Sequence, residues 1–306
     1  MSYHPPRVYR PLGSVGVFGT NNPEDVKALQ RMIINAGYNH ISGNHIRVTG
    51  HNNPETEAAI IWYQRLLNIS PSGLIHPRET WFYTMFSHAT NPRWRPRLIA
   101  GPLHVNEGQI TFDAEGLDYI TATEPFRQPE NTRNFSRILH CPDSYSGVTL
   151  GRGYDMKERS AGEILTHFRT SGIEEYKAVI CSRACGLKGG SAKNFIKYYG
   201  PLVGEITHLQ QIKLFEISYR QKKEYAKGVY LRQSKNIPNP KGWDTLDKKI
   251  RETIVDIVYQ GIPGLRPLIE LIAGGGSRSD VAELISNDPR ENGYPERLKA
   301  RLRNLQ

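Results

Sequence analysis

Apolar residues recur at helical spacing from Asp25 onward: Val26, Leu29, Ile33 and Ile34 share a face with Gln30, and Gly37 follows as a stop. A turn-rich stretch from Asn39 to Asn53 gives way to Pro54-Glu55-Thr56, a helix start. Ala58, Ala59, Ile60, Trp62, Tyr63 and Leu66 carry that helix to about Asn68. Ser70-Pro71-Ser72-Gly73 makes a turn, and Pro77 to Trp81 opens a third helix that ends near Ser87. The pattern predicts a three-helix bundle over residues 1–90. Residues 91–106, rich in Pro and Arg, read as an extended connector, docked through Trp94, Leu98 and Ile99.

Residues 107–155 are short strand-like or irregular pieces separated by turn residues. Beyond Ser160 the helical period holds almost to the end, with predicted helices at 160–171, 174–181, 191–200, 207–226, 243–260, 263–273, 278–286 and 295–305. Gly172, Gly186, Gly200-Pro201, Gly228, Pro238, Gly261 and Pro263 punctuate the junctions. The expected fold class is α+β, mostly α. A small helical domain precedes a 107–306 domain with a small β or irregular lobe and a larger helical lobe. No repeat with a period of 20–50 residues is visible.

Composition narrows the partners. Of 306 residues, 38% are hydrophobic and 23% charged, which excludes a wholly disordered chain. Forty Lys and Arg against 30 Asp and Glu leave +10, most of it after residue 90, and such a balance favours nucleic acid, an anionic membrane or an acidic wall polymer. No apolar run approaches the roughly 18 residues of a membrane span. The first residues carry no apolar h-region, so the chain reads as lacking a secretory signal. Cys141, Cys181 and Cys185 read as reduced thiols, not as a disulfide framework.

Residues 24–86 keep a fixed order: Asp25-Val26-x-x-Leu29-Gln30, Gly37-Tyr38, Thr56-x-x-Ala59-Ile60-x-x-Tyr63-Gln64, then Gly73-Leu74-Ile75-x-Pro77-x-x-Thr80-Trp81. This resembles the three-helix peptidoglycan-binding module that accompanies many wall hydrolases. Leu29, Ile60 and Trp81 would be core, and the glutamines would hydrogen-bond loop backbone. The family usually has Asp-Gly before its second and third helices, where this chain has Val48-Thr49-Gly50-His51 and Ser70-Pro71-Ser72-Gly73.

Farther along, Ser146-Gly147-Val148-Thr149-Leu150-Gly151-Arg152-Gly153-Tyr154-Asp155-Met156 places two glycines one residue apart, where backbone can bend sharply. The βαβ context and third glycine of a dinucleotide fingerprint are missing. Upstream lie Phe112-Asp113-Ala114-Glu115-Gly116 and, nine residues after Glu115, Glu124. Together these strings resemble the phage-type lysozymes and the pesticin-like muramidases. The resemblance implies Glu115 as general acid, Thr149 as the hydroxyl that positions water, and either Glu124 or Asp155 as the second carboxylate. Gly151, Gly153 and Tyr154 fall in the hairpin that would meet substrate. Tyr154-Asp155 stands where phage enzymes commonly carry His, which moves the match toward the toxin branch. Glycoside hydrolysis needs one carboxylic acid for the leaving oxygen and one carboxylate for the attack. Glu115 would need a raised pKa, with Phe112, Leu117 and Tyr119 as apolar surroundings. Segments 214–219 and 243–261 look like the same group's helical lobe, with Phe215, Tyr219, Trp243 and Ile257 as core.

Rival chemistry is weaker. His140-Cys141 would place a base beside a nucleophile in sequence, and adjacent residues seldom face each other. No His-Glu-x-x-His is present, so no metal and no cofactor are expected. No basic stripe interleaved with aromatics supports nucleic-acid binding. By resemblance, the chain is expected to cleave the β-1,4 bond between N-acetylmuramic acid and N-acetylglucosamine. It would be an antibacterial toxin, such as a type VI secretion effector, made in the cytoplasm and acting in the periplasm of a target bacterium. An immunity protein and a secretion apparatus would be its protein partners. The alternative is a non-catalytic wall-docking or phage-tail structural protein with the lysozyme fold.

Overall fold

The computed structural model describes residues 8–90, 103–116 and 136–306, apart from the side chains of Trp81 and residues 88–90. Most of the connector, Leu117, Tyr119 and Glu124 lie outside the described residues. The elements begin with β1 (Val15–Gly16), α1 (Pro23–Asn35), α2 (Tyr38–Ile41), α3 (Pro54–Leu66), β2 (Leu74–Ile75) and α4 (Thr80–Thr90). Next come α5 (Gln109–Ala114), β3 (Thr149–Leu150), β4 (Tyr154–Asp155), α6 (Ala161–Thr170), α7 (Glu175–Ser182), α8 (Gly189–Val203) and α9 (His208–Ser234). The chain closes with α10 (Lys248–Gln260), α11 (Arg266–Ala273), α12 (Arg278–Ser286) and α13 (Pro295–Leu305). The fold is mostly helical with few small strands. Two compact units form, one from residues up to Gly101 with Leu117–Gln211, the other from Pro102–Gly116 with Ile212–Gln306.

In the first unit, β1 pairs antiparallel with β2, matching Val15 to Ile75. Asn22 and Asn53 cap α1 and α3, each followed by a proline whose missing N–H costs nothing in the first turn. Tyr63, Phe82 and Phe86 meet edge to face in the core, with ring centroids 4.7–6.2 Å apart. Both motif glutamines are buried and staple loops, as their sequence positions suggested. Gln30 Oε1 accepts from the N–H groups of Thr49 and Gly50 at 2.8 and 3.0 Å, and its Nε2 donates to His51 O and Thr56 Oγ1. Gln64 accepts from Gly73 N at 2.9 Å and donates to Leu74 O. Gly50 and Gly73 adopt φ of +77° and +71°, so both turns form without the usual Asp-Gly pair. Replacing Gln30 by Ala strands the buried Gly50 N–H and removes the acceptor of Thr49 N, and is expected to cost about 1–3 kcal/mol, read as a lower urea midpoint.

The same unit continues into α6, α7 and α8. Ser160 and Glu163 make a reciprocal capping box at the start of α6, α6 packs on α7, and α4 packs on α8. The Arg183 guanidinium reaches the end of α3, donating to Arg65 O, Leu66 O and Asn68 Oδ1 at 2.6–3.0 Å. Arg137 and Glu205 pair at 2.9 Å with both side chains fully buried.

In the second unit, the short helix α5 rests on α10 and α13. Phe112 meets Phe215 edge to face at 5.1 Å, and Phe215 continues into Tyr219 and Tyr259. Phe215, Tyr219, Trp243 and Ile257 are buried, in agreement with their reading as core. Gly108 is obligatory: its φ is +75°, and a Cβ there would lie 2.2 Å from the Tyr219 ring.

Several limits differ from the sequence pattern: α4 runs on to Thr90, α11 starts only at Arg266, and α5 is a helix where the pattern predicts irregular pieces. α8 runs through Pro201 to Val203, and α9 runs through Gly228 to Ser234, because buried Ala226, Val229 and Tyr230 repay continuation. The 243–260 segment splits: Trp243–Thr245 forms a 3-10 turn, Leu246 is extended, and Asp247 caps α10 through Lys249 N at 2.9 Å. No described helix is long and apolar enough to cross a membrane.

Candidate functional site

Glu115 ends α5. The Gln109 side chain folds back to accept from Val105 N and donate to Leu103 O, which fixes the entry into the helix. Glu115 N then donates to Thr111 O at 3.0 Å, closing the last turn. Phe112, three residues earlier, is fully buried, and the Glu115 side chain is left 19% exposed.

Its Oε1 accepts from Arg297 Nη1 at 2.6 Å. Arg297 also forks onto Asp256, with Nη2 to Oδ1 at 2.7 Å and Nε to Oδ2 at 3.1 Å. Asp256 Oδ2 takes a further bond from Arg301 Nε at 2.7 Å, and the fully buried Arg301 reaches Glu291 and Gln260. Three carboxyl groups thus share two guanidinium groups in a largely buried site. Gln260 serves this packing.

The two central acids diverge. Burial pushes Glu115 up; Arg297 pulls it back, Asp256 adds to the rise, and the outcome is a raised pKa. Burial also opposes ionisation of Asp256, but the Arg297 and Arg301 guanidiniums outweigh it and hold that carboxyl below its ordinary range. Asp256 therefore stays charged while Glu115 retains its proton to higher pH. A partly exposed carboxylic acid of that kind is equipped to donate a proton.

The other predicted residues that are described lie in the first unit. Thr149 pairs with Asp155 and Leu150 with Tyr154 across a tight hairpin whose turn, Gly151-Arg152-Gly153, has φ of +66° and +79° at its glycines. His140 bridges Thr149 from the other side, through N–H···O bonds of 2.9 and 2.8 Å. Thr149 and Asp155, directly opposite in the two-stranded hairpin, share one face of it, and His140 faces Thr149 across an isolated bridge. Thr149 is buried, and its hydroxyl lies 3.4 Å from Gly147 O. Asp155 clamps the neighbouring loop: Oδ2 accepts from Gly147 N at 3.1 Å and Oδ1 from Lys157 N at 2.8 Å. A Cβ at Gly147 would lie 2.3 Å from Asp155 Oδ1. Tyr154 is fully buried, with its hydroxyl 2.9 Å from His167 Nδ1 and the Arg159 guanidinium 4.1 Å over its ring. In this arrangement Tyr154 offers no surface to a substrate. Asp155→Ala is expected to free two backbone donors and lower the melting temperature by the equivalent of about 1–3 kcal/mol.

His140-Cys141 is not arranged as base and nucleophile. His140 Nδ1 donates to Ile138 O at 2.9 Å, and burial lowers the imidazole's pKa. Cys141 Sγ donates to the carbonyls of Asp143 and Ser146 at 3.1 and 3.4 Å. Among the described residues no group of His, Cys, Asp and Glu could hold a metal ion.

Sequence reasoning missed Asp256, Arg297 and Arg301. Two signals were present: a lone acid inside Ile254-Val255-Asp256-Ile257-Val258, and arginines four apart on the last helix. Their meeting with Glu115 depends on tertiary packing.

Two family models match the chain, and it has no match among curated proteins. Residues 22–78 match the family described as "Putative peptidoglycan binding domain", which supports an N-terminal peptidoglycan-binding module. The second match begins at Gly108 and ends at Arg297, so it takes in Glu115, Thr149, Asp155 and Asp256. With residues 108–297 matched, more than half of its length, the chain belongs to the family described as "Domain of unknown function (DUF8812)".

Proposed function

We propose that this chain is a peptidoglycan hydrolase that cleaves the β-1,4 bond between N-acetylmuramic acid and N-acetylglucosamine. The observation that carries the proposal is Glu115, a carboxylic acid at a helix end, 19% exposed and held above its ordinary pKa by burial beside an ionised Asp256. Glu115 donates its proton to the leaving oxygen. The resemblance to lysozymes assigns the water-positioning hydroxyl to Thr149 and the second carboxylate to Glu124 or Asp155. A hydroxyl that holds water for attack on the far sugar face gives inversion of configuration. The peptidoglycan-binding module concentrates the enzyme on an insoluble polymer.

Purified sacculi incubated with the full chain test this directly. Disaccharide muropeptides ending in reducing N-acetylmuramic acid are the expected products by mass spectrometry. Cut peptides on intact glycan would make the chain an amidase or peptidase. Bound protein with no release would favour the wall-docking reading, to which the buried Thr149 hydroxyl and the clamped Asp155 lend some support.

The biological setting that fits this activity is an antibacterial effector delivered into a target periplasm, with an immunity protein guarding the producer. Expression directed to a host periplasm should lyse the cells, and co-expression of the neighbouring gene product should protect them. Growth without lysis would remove the effector role.

A further inference from the structure

The loop between β1 and α1 carries a fully exposed aromatic ring in a backbone conformation that suits glycine. Gly16 O accepts from Gly19 N at 2.9 Å, closing a β-turn over Val17 and Phe18. Phe18, at the third turn position, has φ of +55° and is fully exposed. A positive φ at that position ordinarily selects Gly or Asn, because a Cβ there crowds the carbonyl.

The surrounding loop leaves Phe18 no alternative. Asn21 Oδ1 accepts from Gly16 N at 2.8 Å, and its Nδ2 donates to Gly16 O and Gly19 O at 3.0 Å. Val17 N donates to Gly73 O at 2.9 Å, and Asn21 N to Ser14 O at 2.9 Å. Val15 and Ile75, both buried, pin the base. A bulky ring is thus kept in strain and in water at the tip of a rigid turn, where it adds nothing to the core. Strain of this kind persists at ligand contacts. From Pro11 to Pro23 the chain carries no charged side chain. An uncharged, rigid aromatic tip suits a neutral sugar ring better than the ionised carboxylates of a stem peptide or an anionic lipid headgroup.

We propose that Phe18 is a sugar-stacking residue of the N-terminal module, its ring lying against the pyranose face of an N-acetylated amino sugar in the glycan strand. The proposal rests on the module's peptidoglycan binding and not on hydrolysis.

The test uses the full chain in a Glu115→Gln background, so that polymer is not consumed. Binding is measured by co-sedimentation with intact sacculi and by calorimetry with glycan strands stripped of stem peptides. Phe18→Gly is expected to weaken both about tenfold, the equivalent of roughly 1.4 kcal/mol, without lowering the melting temperature. Phe18→Trp is expected to keep the parental affinity. Parental binding by Phe18→Gly would overturn the proposal and leave the module's function standing. So would a parent that binds sacculi but not peptide-free strands, or a loss of binding accompanied by a lowered melting temperature. A parent that fails to bind sacculi would overturn both.

Discussion

Glu115→Gln is expected to cut the release of reducing muropeptides by 10²–10⁴-fold, the usual contribution of a positioned proton donor, while making the folded chain more stable at neutral pH. The amide is nearly isosteric and its oxygen can still accept from Arg297, so the network need not rearrange. What disappears is the proton. The folded-state pKa of Glu115 is raised by burial, so the folded chain holds that proton to higher pH than the unfolded chain does. Stability is therefore fully kept below the ordinary carboxyl value of about 4.3 and declines as pH climbs through the raised folded value. Gln removes the decline. A gain of about 1 kcal/mol, roughly 2–4 °C in melting temperature, is expected at pH 7 and should vanish near pH 4. Melting curves of both forms across that range check the stability arm. Unchanged muropeptide release would end the assignment of Glu115 as proton donor.

The second large effect is on folding. Asp256→Ala leaves Arg297 and Arg301 facing each other with only Glu115 and Glu291 as counter-charges, inside a region where Asp256 is 1% exposed. Removing one member of a buried ionic set costs about 3–5 kcal/mol, because the remaining charges stay desolvated. Urea unfolding at pH 7 should show that loss for the unit containing α10 and α13. The pH signature runs opposite to that of Glu115. The pKa of Asp256 is lowered in the folded state, so its contribution is present above about 3.9 and is lost as pH falls through the depressed value. Asp256→Ala should accordingly flatten the acid limb of the stability profile. A variant that unfolds at the parental urea midpoint would mean that the arginines find other partners.

Much of the fold was legible because glycine and proline mark most helix ends after Ser160, and the apolar period between them is regular. The roles of Gln30 and Gln64 were legible for a similar reason: a buried amide beside turn residues has few partners except loop backbone. Continuation of α8 through Pro201 and of α9 through Gly228 was not, because burial of neighbouring side chains overrode local propensity. The candidate site divides in the same way. Glu115 could be singled out by a short string, whereas Arg297 stands 182 positions away and only packing brings its guanidinium to the carboxyl. Burial of Tyr154 and the clamping duty of Asp155 also escaped notice, since nothing in a hairpin string tells which side chains turn inward.

The guanidinium of Arg183 on the last carbonyls of α3, with α4 packed on α8, has a mechanical meaning. The wall-binding bundle and the Thr149–Asp155 hairpin belong to one compact unit, like the two ends of a bracket. Distance from anchor to hairpin is then set by side-chain packing, and the contour length of residues 91–106 has no say in it. Lengthening that stretch with glycine and serine should leave the anchored hairpin at the same height above the wall. If the hairpin meets glycan as proposed, it reaches only the strands that lie at that one height once the bundle is seated.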